Sequence, residues 1–236
     1  MVSTAAASPA ARLASVRARI AAAAAQAGRA TESITLIGVS KLQTAAAVAA
    51  LADLGQRDFG ENYLQEAIDK IEALRDRALT WHFIGQLQTN KTRPVAENFD
   101  WVHTVDRLKI ATRLSEQRPF HAPPLSVCVQ VKLGDEATKG GVSPAELPAL
   151  LDAIAMLPRL QLRGLMALPP PESTALRQRH WFAELRRLLE EARQRHPTLD
   201  TLSMGMSNDL EAAILEGATQ IRIGTALFGE RLQSMA

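Results

Sequence analysis

The stretch Ile34-Thr-Leu-Ile-Gly-Val-Ser-Lys41 decides how this chain is read. It is short, mostly apolar or β-branched, and ends in a lone lysine. That is the pattern of a strand buried on both faces of a parallel sheet. In parallel α/β folds the loops that follow the strands converge on one face and carry the chemistry. A lysine held there against an apolar barrel mouth can lose its proton at modest cost and attack an aldehyde. On this stretch alone, a solvated lysine closing a strand is the favoured reading.

The same pattern recurs outward along the chain, at 57–61, 81–85, 101–104, 126–133, 161–167, 200–205 and 219–223. Helical patterning separates these runs. Leu13, Val16 and Ile20 mark an amphipathic helix over 9–27. Thr44 opens 45–54, and Asn62 opens 63–76 with Gln65 as the partner of a capping box. Ser143-Pro-Ala-Glu146 is a stronger helix start. Residues 173–195 carry Trp181, Leu185, Leu188 and Leu189 on one side of a long helix. Eight strands with intervening helices in 236 residues predict a single (β/α)8 barrel, a TIM barrel. The barrel is expected over 31–236, with residues 1–30 as an extra N-terminal helix packed on it. A doubly wound open sheet shares the alternation and is the alternative.

Composition narrows the function classes. Hydrophobic residues make up 47%, enough for a full core without disulfides or a structural metal. The single cysteine, Cys128, lies in an apolar run and reads as a buried strand residue in a reducing cytosol. A net charge of +2, with scattered basic residues, gives no nucleic-acid footprint. No apolar run is long enough to span a membrane, and Arg12, Arg17 and Arg19 break the place where a signal-peptide core would lie. A cytoplasmic protein is expected. No His/Asp/Glu cluster has ligand spacing, which argues against a metal-dependent barrel hydrolase.

If the strands are right, the residues just past them form the site. These are Lys41, Asn62, Gln86 to Lys91, His103 and Thr104, Lys132 to Gly141, Met166, Met204 to Asp209, and Gly224-Thr225. Each has an alternative reading: Asn62 as a helix cap, Met204 and Met206 as gap-fillers, and His82 and His103 as packed or hydrogen-bonded strand residues. Two segments are more specific. In Ser203-Met-Gly-Met-Ser-Asn-Asp209, Gly205 permits close backbone approach and Ser207 is placed to cap a helix. Ile221-Arg-Ile-Gly-Thr225 ends the last strand in a glycine and a hydroxyl. Loops after strands seven and eight are the recurrent phosphate site of such barrels. Arg222 shares a strand face with Gly224. A guanidinium there stays charged and only donates, so a pyridine nitrogen facing it stays unprotonated. The alternative for Arg222 is a salt bridge to a neighbouring carboxylate.

Taken together, Val39-Ser-Lys41, Phe59-Gly-Glu-Asn62, His82-Phe-Ile-Gly-Gln-Leu-Gln-Thr-Asn-Lys91, Lys139-Gly140, Gly164-Leu-Met166, Ser203-Met-Gly-Met-Ser207 with Asp209, and Arg222-Ile-Gly-Thr225 closely resemble the pyridoxal phosphate homeostasis proteins. The resemblance runs from about residue 34 to Arg231. It implies a barrel like the N-terminal domain of alanine racemase, with pyridoxal 5'-phosphate carried on Lys41 as a Schiff base. It implies phosphate held around Ser207, Gly224 and Thr225, Arg222 at the pyridine nitrogen, and Asn62 with Met204 or Met206 lining the ring. The implied role is to bind and supply the cofactor, keeping its free level low, with effects on amino-acid and keto-acid balance and no robust turnover. Enzymes that depend on the cofactor are the implied acceptors.

A pyridoxal-phosphate-dependent amino-acid racemase on the same barrel is the alternative function. Racemisation needs bases on both faces of the cofactor. In the racemase architecture the second base is a tyrosine from a further β-domain, whereas this sequence ends at Ala236 and its one tyrosine is Tyr63. Tyr63 more naturally anchors the helix it begins. The carrier is therefore the favoured reading, and a monomer the expected state.

Overall fold

The computed structural model describes residues 7–134, 140–170, 172 and 174–229. Its elements follow in strict alternation: α1 (Pro9–Gln26), β1 (Thr35–Val39), α2 (Ala45–Asp53), β2 (Asp58–Glu61), α3 (Leu64–Ala73), β3 (Thr80–Phe83), α4 (Thr92–Asn98) and β4 (Trp101–Val105). The second half continues with α5 (Leu108–Gln117), β5 (Leu125–Gln130), α6 (Leu147–Ala155), β6 (Leu160–Met166), α7 (Ala175–Arg193), β7 (Thr201–Ser203), α8 (Leu210–Leu215), β8 (Gln220–Ile223) and α9 (Thr225–Phe228). Each strand pairs in parallel with the next, and β8 pairs with β1, closing the barrel. Closure settles the choice against an open sheet.

Period-two alternation divides the strand residues between two environments. Leu125, Val127 and Val129 of β5 join the apolar layer beneath the helices, as do Trp81 and Phe83 of β3 and Ile221 and Ile223 of β8. The intervening residues are Cys128, His82 and Arg222, all buried and outside that layer. The barrel interior is thus polar at its centre. Burial pushes the Cys128 thiol up to about 12, so it is an inert, protonated packing group.

Several boundaries move for local reasons. The strand expected over 126–133 ends at Gln130, because Val131 instead bridges to Val142. The run expected over 200–205 ends at Ser203, and Gly205 then turns the chain at φ +91°. A Cβ at Gly205 would sit 2.6 Å from Ala213 Cβ. The helix expected from 63 starts at Leu64 with Tyr63 in the cap position and no side-chain cap bond, so Asn62 is not its cap. Ser143 Oγ accepts from Glu146 N at 3.3 Å and donates to the Glu146 carboxylate at 2.5 Å, which makes one half of a capping box one turn before α6 begins. In α7, Phe182, absent from the predicted stripe, is fully buried, while Trp181 is half-buried.

The N-terminal helix packs on the end of the barrel chain. Leu13, Val16 and Ile20 are buried, Arg12 donates to Leu227 O at 2.7 Å, and Arg19 pairs with Glu211 at 2.7 Å. The barrel's own closest approach is at Gly164, which pairs with Thr201. A Cβ there would meet Thr201 O at 1.9 Å. Gly164→Ala is expected to lower unfolding free energy by about 3 kcal/mol, the upper end of overpacking costs. Urea denaturation measures it.

Candidate functional site

Lys41 lies two residues past the end of β1, on the inward parity of Ile37 and Val39, and is half-buried. The residues on either side of it are clamped. Lys70 of α3 donates to Ser40 O at 2.6 Å, and Glu66 accepts from Leu42 N at 2.5 Å. Leu42 holds a left-handed φ of +61°, a strained value for a leucine. Lys70 also pairs with Glu66 and reaches Glu61 Oε1 at 2.8 Å, while Ser40 Oγ donates to the same oxygen at 2.6 Å. Burial holds the Glu61 carboxyl above the usual carboxylate range, against the bonds from Lys70 and Ser40. Sequence reading missed this cluster, because Lys70 and Glu66 are spaced like an ordinary surface pair on a helix.

A second set of polar groups crosses the barrel interior. Arg222 is buried and donates to Ser203 Oγ at 2.7 Å and Ala167 O at 3.1 Å. Ser203 Oγ lies 2.7 Å from His103 Nδ1, His103 Nε2 lies 3.0 Å from His82 Nδ1, and His82 Nε2 lies 3.0 Å from Asp58 Oδ1. Both histidines are therefore hydrogen-bonded strand residues, as the sequence suggested. Burial lowers the Arg222 guanidinium to about 10, despite the favourable field of Asp209. Burial, followed by the fields of His82 and Arg222, holds His103 far below the ordinary imidazole value. Arg222 pairs with Ile37, four residues before Lys41 on the neighbouring strand. About 7 Å of strand rise and then a two-residue turn separate that level from the lysine.

The loops after β7 and β8 differ from the expected caps. Ser207 does not cap α8: the cap position is Asp209, and its carboxylate takes the Met206 N–H, tightening the turn so that the helix starts at Leu210. Ser207 is half-buried, and its carbonyl accepts from Arg19 at 2.9 Å, so α1 braces this loop. Gly224 holds the cap position of α9, with Leu227 N and Phe228 N closing on its carbonyl. Thr225 is exposed, at the first helical position. Met204 is fully buried in the apolar layer, whereas Met206 is 42% exposed. Asn62 packs its backbone against Gly85, and its buried Oδ1 has no hydrogen-bond partner among the described residues. Gly140 sits near Asp106, Gln86 and Gln130. Lys139, Pro171 and Arg231 lie outside the described residues.

The Lys70 cluster yields a stability prediction. Removing one partner of a buried ion pair strands the other charge, at a cost of about 3–5 kcal/mol. Lys70→Met is expected to lose that much in urea titrations, and the Lys70→Met/Glu61→Gln double variant to recover part of it. Equal losses in the two proteins would show that the buried charge on Glu61 is not the cause.

Residues 12–232 match the family model described as alanine racemase, N-terminal domain. The chain is 58% identical over 219 residues to the pyridoxal phosphate homeostasis protein of Pseudomonas aeruginosa, covering 93% of this chain and 94% of that one. It is 54% identical over 222 residues to the Escherichia coli K12 protein of the same name, covering 93% and 95%. Among solved structures it resembles PipY of Synechococcus elongatus, determined with PLP bound, with a TM-score of 0.83 and 42% identity. That likeness covers 94% of this chain and all of PipY. The chain therefore belongs to the family of pyridoxal phosphate homeostasis proteins and carries the alanine racemase N-terminal domain.

Proposed function

We propose that this protein binds pyridoxal 5'-phosphate at the mouth of its barrel and acts as a reversible carrier that maintains the intracellular level of the cofactor, and with it amino-acid and keto-acid balance. One observation carries the reading. An amine at the end of β1 stands above a buried, donor-only cation on the adjacent strand, in a chain whose relatives are named for this cofactor. The residues present fit the group. Asn62 Oδ1 is a buried acceptor without a partner, suited to a ring hydroxyl. Arg222 has N–H groups left after its two protein bonds, suited to a ring nitrogen.

When bound, the cofactor supplies an aldehyde for reversible condensation with amines and a ring able to accept electrons. Lys41 is the amine that holds it. Ser207, Gly224 and Thr225 bind the phosphate. Met204 forms apolar support at the β7 end. Arg222 donates to the ring nitrogen and gives it no proton, which weakens the ring as an electron sink. A ring left unprotonated is a poorer electron sink, which suits holding the cofactor. Tyr63, the candidate second base, is 53% exposed at the start of α3, where water competes for any proton it handles.

The protein acts in the cytoplasm as a monomer and hands cofactor to apoenzymes that need it. Among the described residues, no helix is long and apolar enough to cross a membrane.

Two outcomes test this reading. Protein purified with the vitamer is expected to be yellow, and borohydride reduction to fix the cofactor on the peptide containing Lys41. Lys41→Ala should lose both the colour and the adduct, and label on another lysine overturns the assignment. Incubated with L-alanine or L-serine, the loaded protein is expected to leave optical purity intact. Loss of purity at enzyme-like rates, abolished by Tyr63→Phe, would establish the racemase instead.

A further inference from the structure

The hydrogen-bond chain across the barrel interior has a direction, and its two ends impose it. A guanidinium has no acceptor, so Ser203 Oγ must accept from Arg222. The one hydroxyl proton of Ser203 is then left for His103 Nδ1. That ring, accepting at Nδ1, carries its proton on Nε2 and donates to His82 Nδ1. His82 in turn carries its proton on Nε2 and donates to Asp58. Read from the other end, the Asp58 carboxylate can only accept, which puts a proton on His82 Nε2 and, for a neutral ring, leaves Nδ1 to accept from His103. Four contacts, three between neighbouring strands and one across the interior from β4 to β7, fit one polarity with both imidazoles neutral.

We infer that Asp58, His82, His103 and Ser203 form a one-way hydrogen-bond relay that holds Arg222 charged and oriented as a donor toward the cofactor. This rests on the reading of Arg222 as the partner of the ring nitrogen. The four are positioning residues. They place the oxygen of Ser203, with its hydroxyl proton turned away, against the guanidinium. They also close the interior route for a proton: a proton entering at Asp58 would have to reverse every bond and end on Arg222, which cannot accept it. The ring nitrogen is thereby insulated from the barrel floor.

The charged and titratable surroundings are consistent with neutral rings. Arg222 from β8 faces His103, and Asp58 from β2 faces His82. Trp101 of β4 stacks on His82 at 5.7 Å and lies 5.8 Å from His103. Arg163 of β6 covers the Trp101 ring at 4.9 Å and is paired with Asp200, before β7. Cys128 of β5, which feels Arg163, Asp200 and Arg222, stays protonated. Asp209 acts on Arg222.

The test separates the relay from the cofactor reading. In ligand-free protein labelled with 15N-histidine, two-bond 1H–15N spectra are expected to show His82 and His103 neutral and protonated on Nε2 at pH 7. Arg222→Met frees the Ser203 hydroxyl to donate elsewhere and should shift His103 toward the Nδ1–H tautomer or the charged ring. An Nδ1–H or charged ring in the parent protein, or tautomers indifferent to Arg222→Met, overturns the relay. In loaded protein, Ser203→Ala removes the link to Arg222 and is expected to speed cofactor loss roughly tenfold, the effect of one hydrogen bond to a charged group. Ser203→Thr, which keeps the hydroxyl, should restore retention and rule out simple misfolding. Expected tautomers with unchanged retention in Ser203→Ala overturn the positioning role. Failure of borohydride labelling at Lys41 sinks the cofactor assignment and leaves the histidine spectra as they are.

Discussion

A guanidinium held out of water inside a closed parallel barrel is the constraint on which the rest of this structure depends. Desolvating such a charge costs several kcal/mol unless its N–H groups find acceptors. Arg222 finds them in Ser203 Oγ, on the last residue of β7, and Ala167 O, just past β6. The demand then propagates. A serine that accepts from arginine must donate to something, and the two histidines and Asp58 carry that requirement to the barrel floor. An interior filled with Val and Ile, usual for this architecture, would leave Arg222 unsupported.

The amine side is organised by an opposite strategy. Lys41 itself is half-buried, and the residues flanking it are held rigidly. Lys70, Glu61 and Glu66 fix the peptide groups of Ser40 and Leu42, so the lysine emerges from a clamped and locally strained turn. The network lies on the helix side of the sheet, away from the barrel interior. The site thus has a cationic donor below, anchored through the barrel, and an amine above, anchored through α3. The N-terminal helix completes the frame by tying Arg19 to the Ser207 loop and Arg12 to the end of α9.

How much of this was legible from residue order varies with the range of the interaction. Strand number, strand positions and the parallel arrangement follow from short apolar runs at regular spacing, and these survive in the structure within a few residues. The end of β7 was misjudged because Gly205 turns the chain where apolar patterning continues. Ser207 looked like a helix cap from its type and place, but Asp209 turns the loop instead. Lys70 and Glu61 were invisible as a pair, since nothing local distinguishes a buried helix lysine from a solvated one.

The sequence by itself determined the alternation of strands and helices, the family, and the presence of an amine at the first strand end and an arginine on the last strand. Those are properties of residue type and spacing, which act over a few neighbours. Only the tertiary structure decided that Asp58, His82, His103, Ser203 and Arg222 meet, because they come from five strands and touch only once the sheet closes on itself. Barrel closure fixes which inward residues share a level, and no local pattern encodes that.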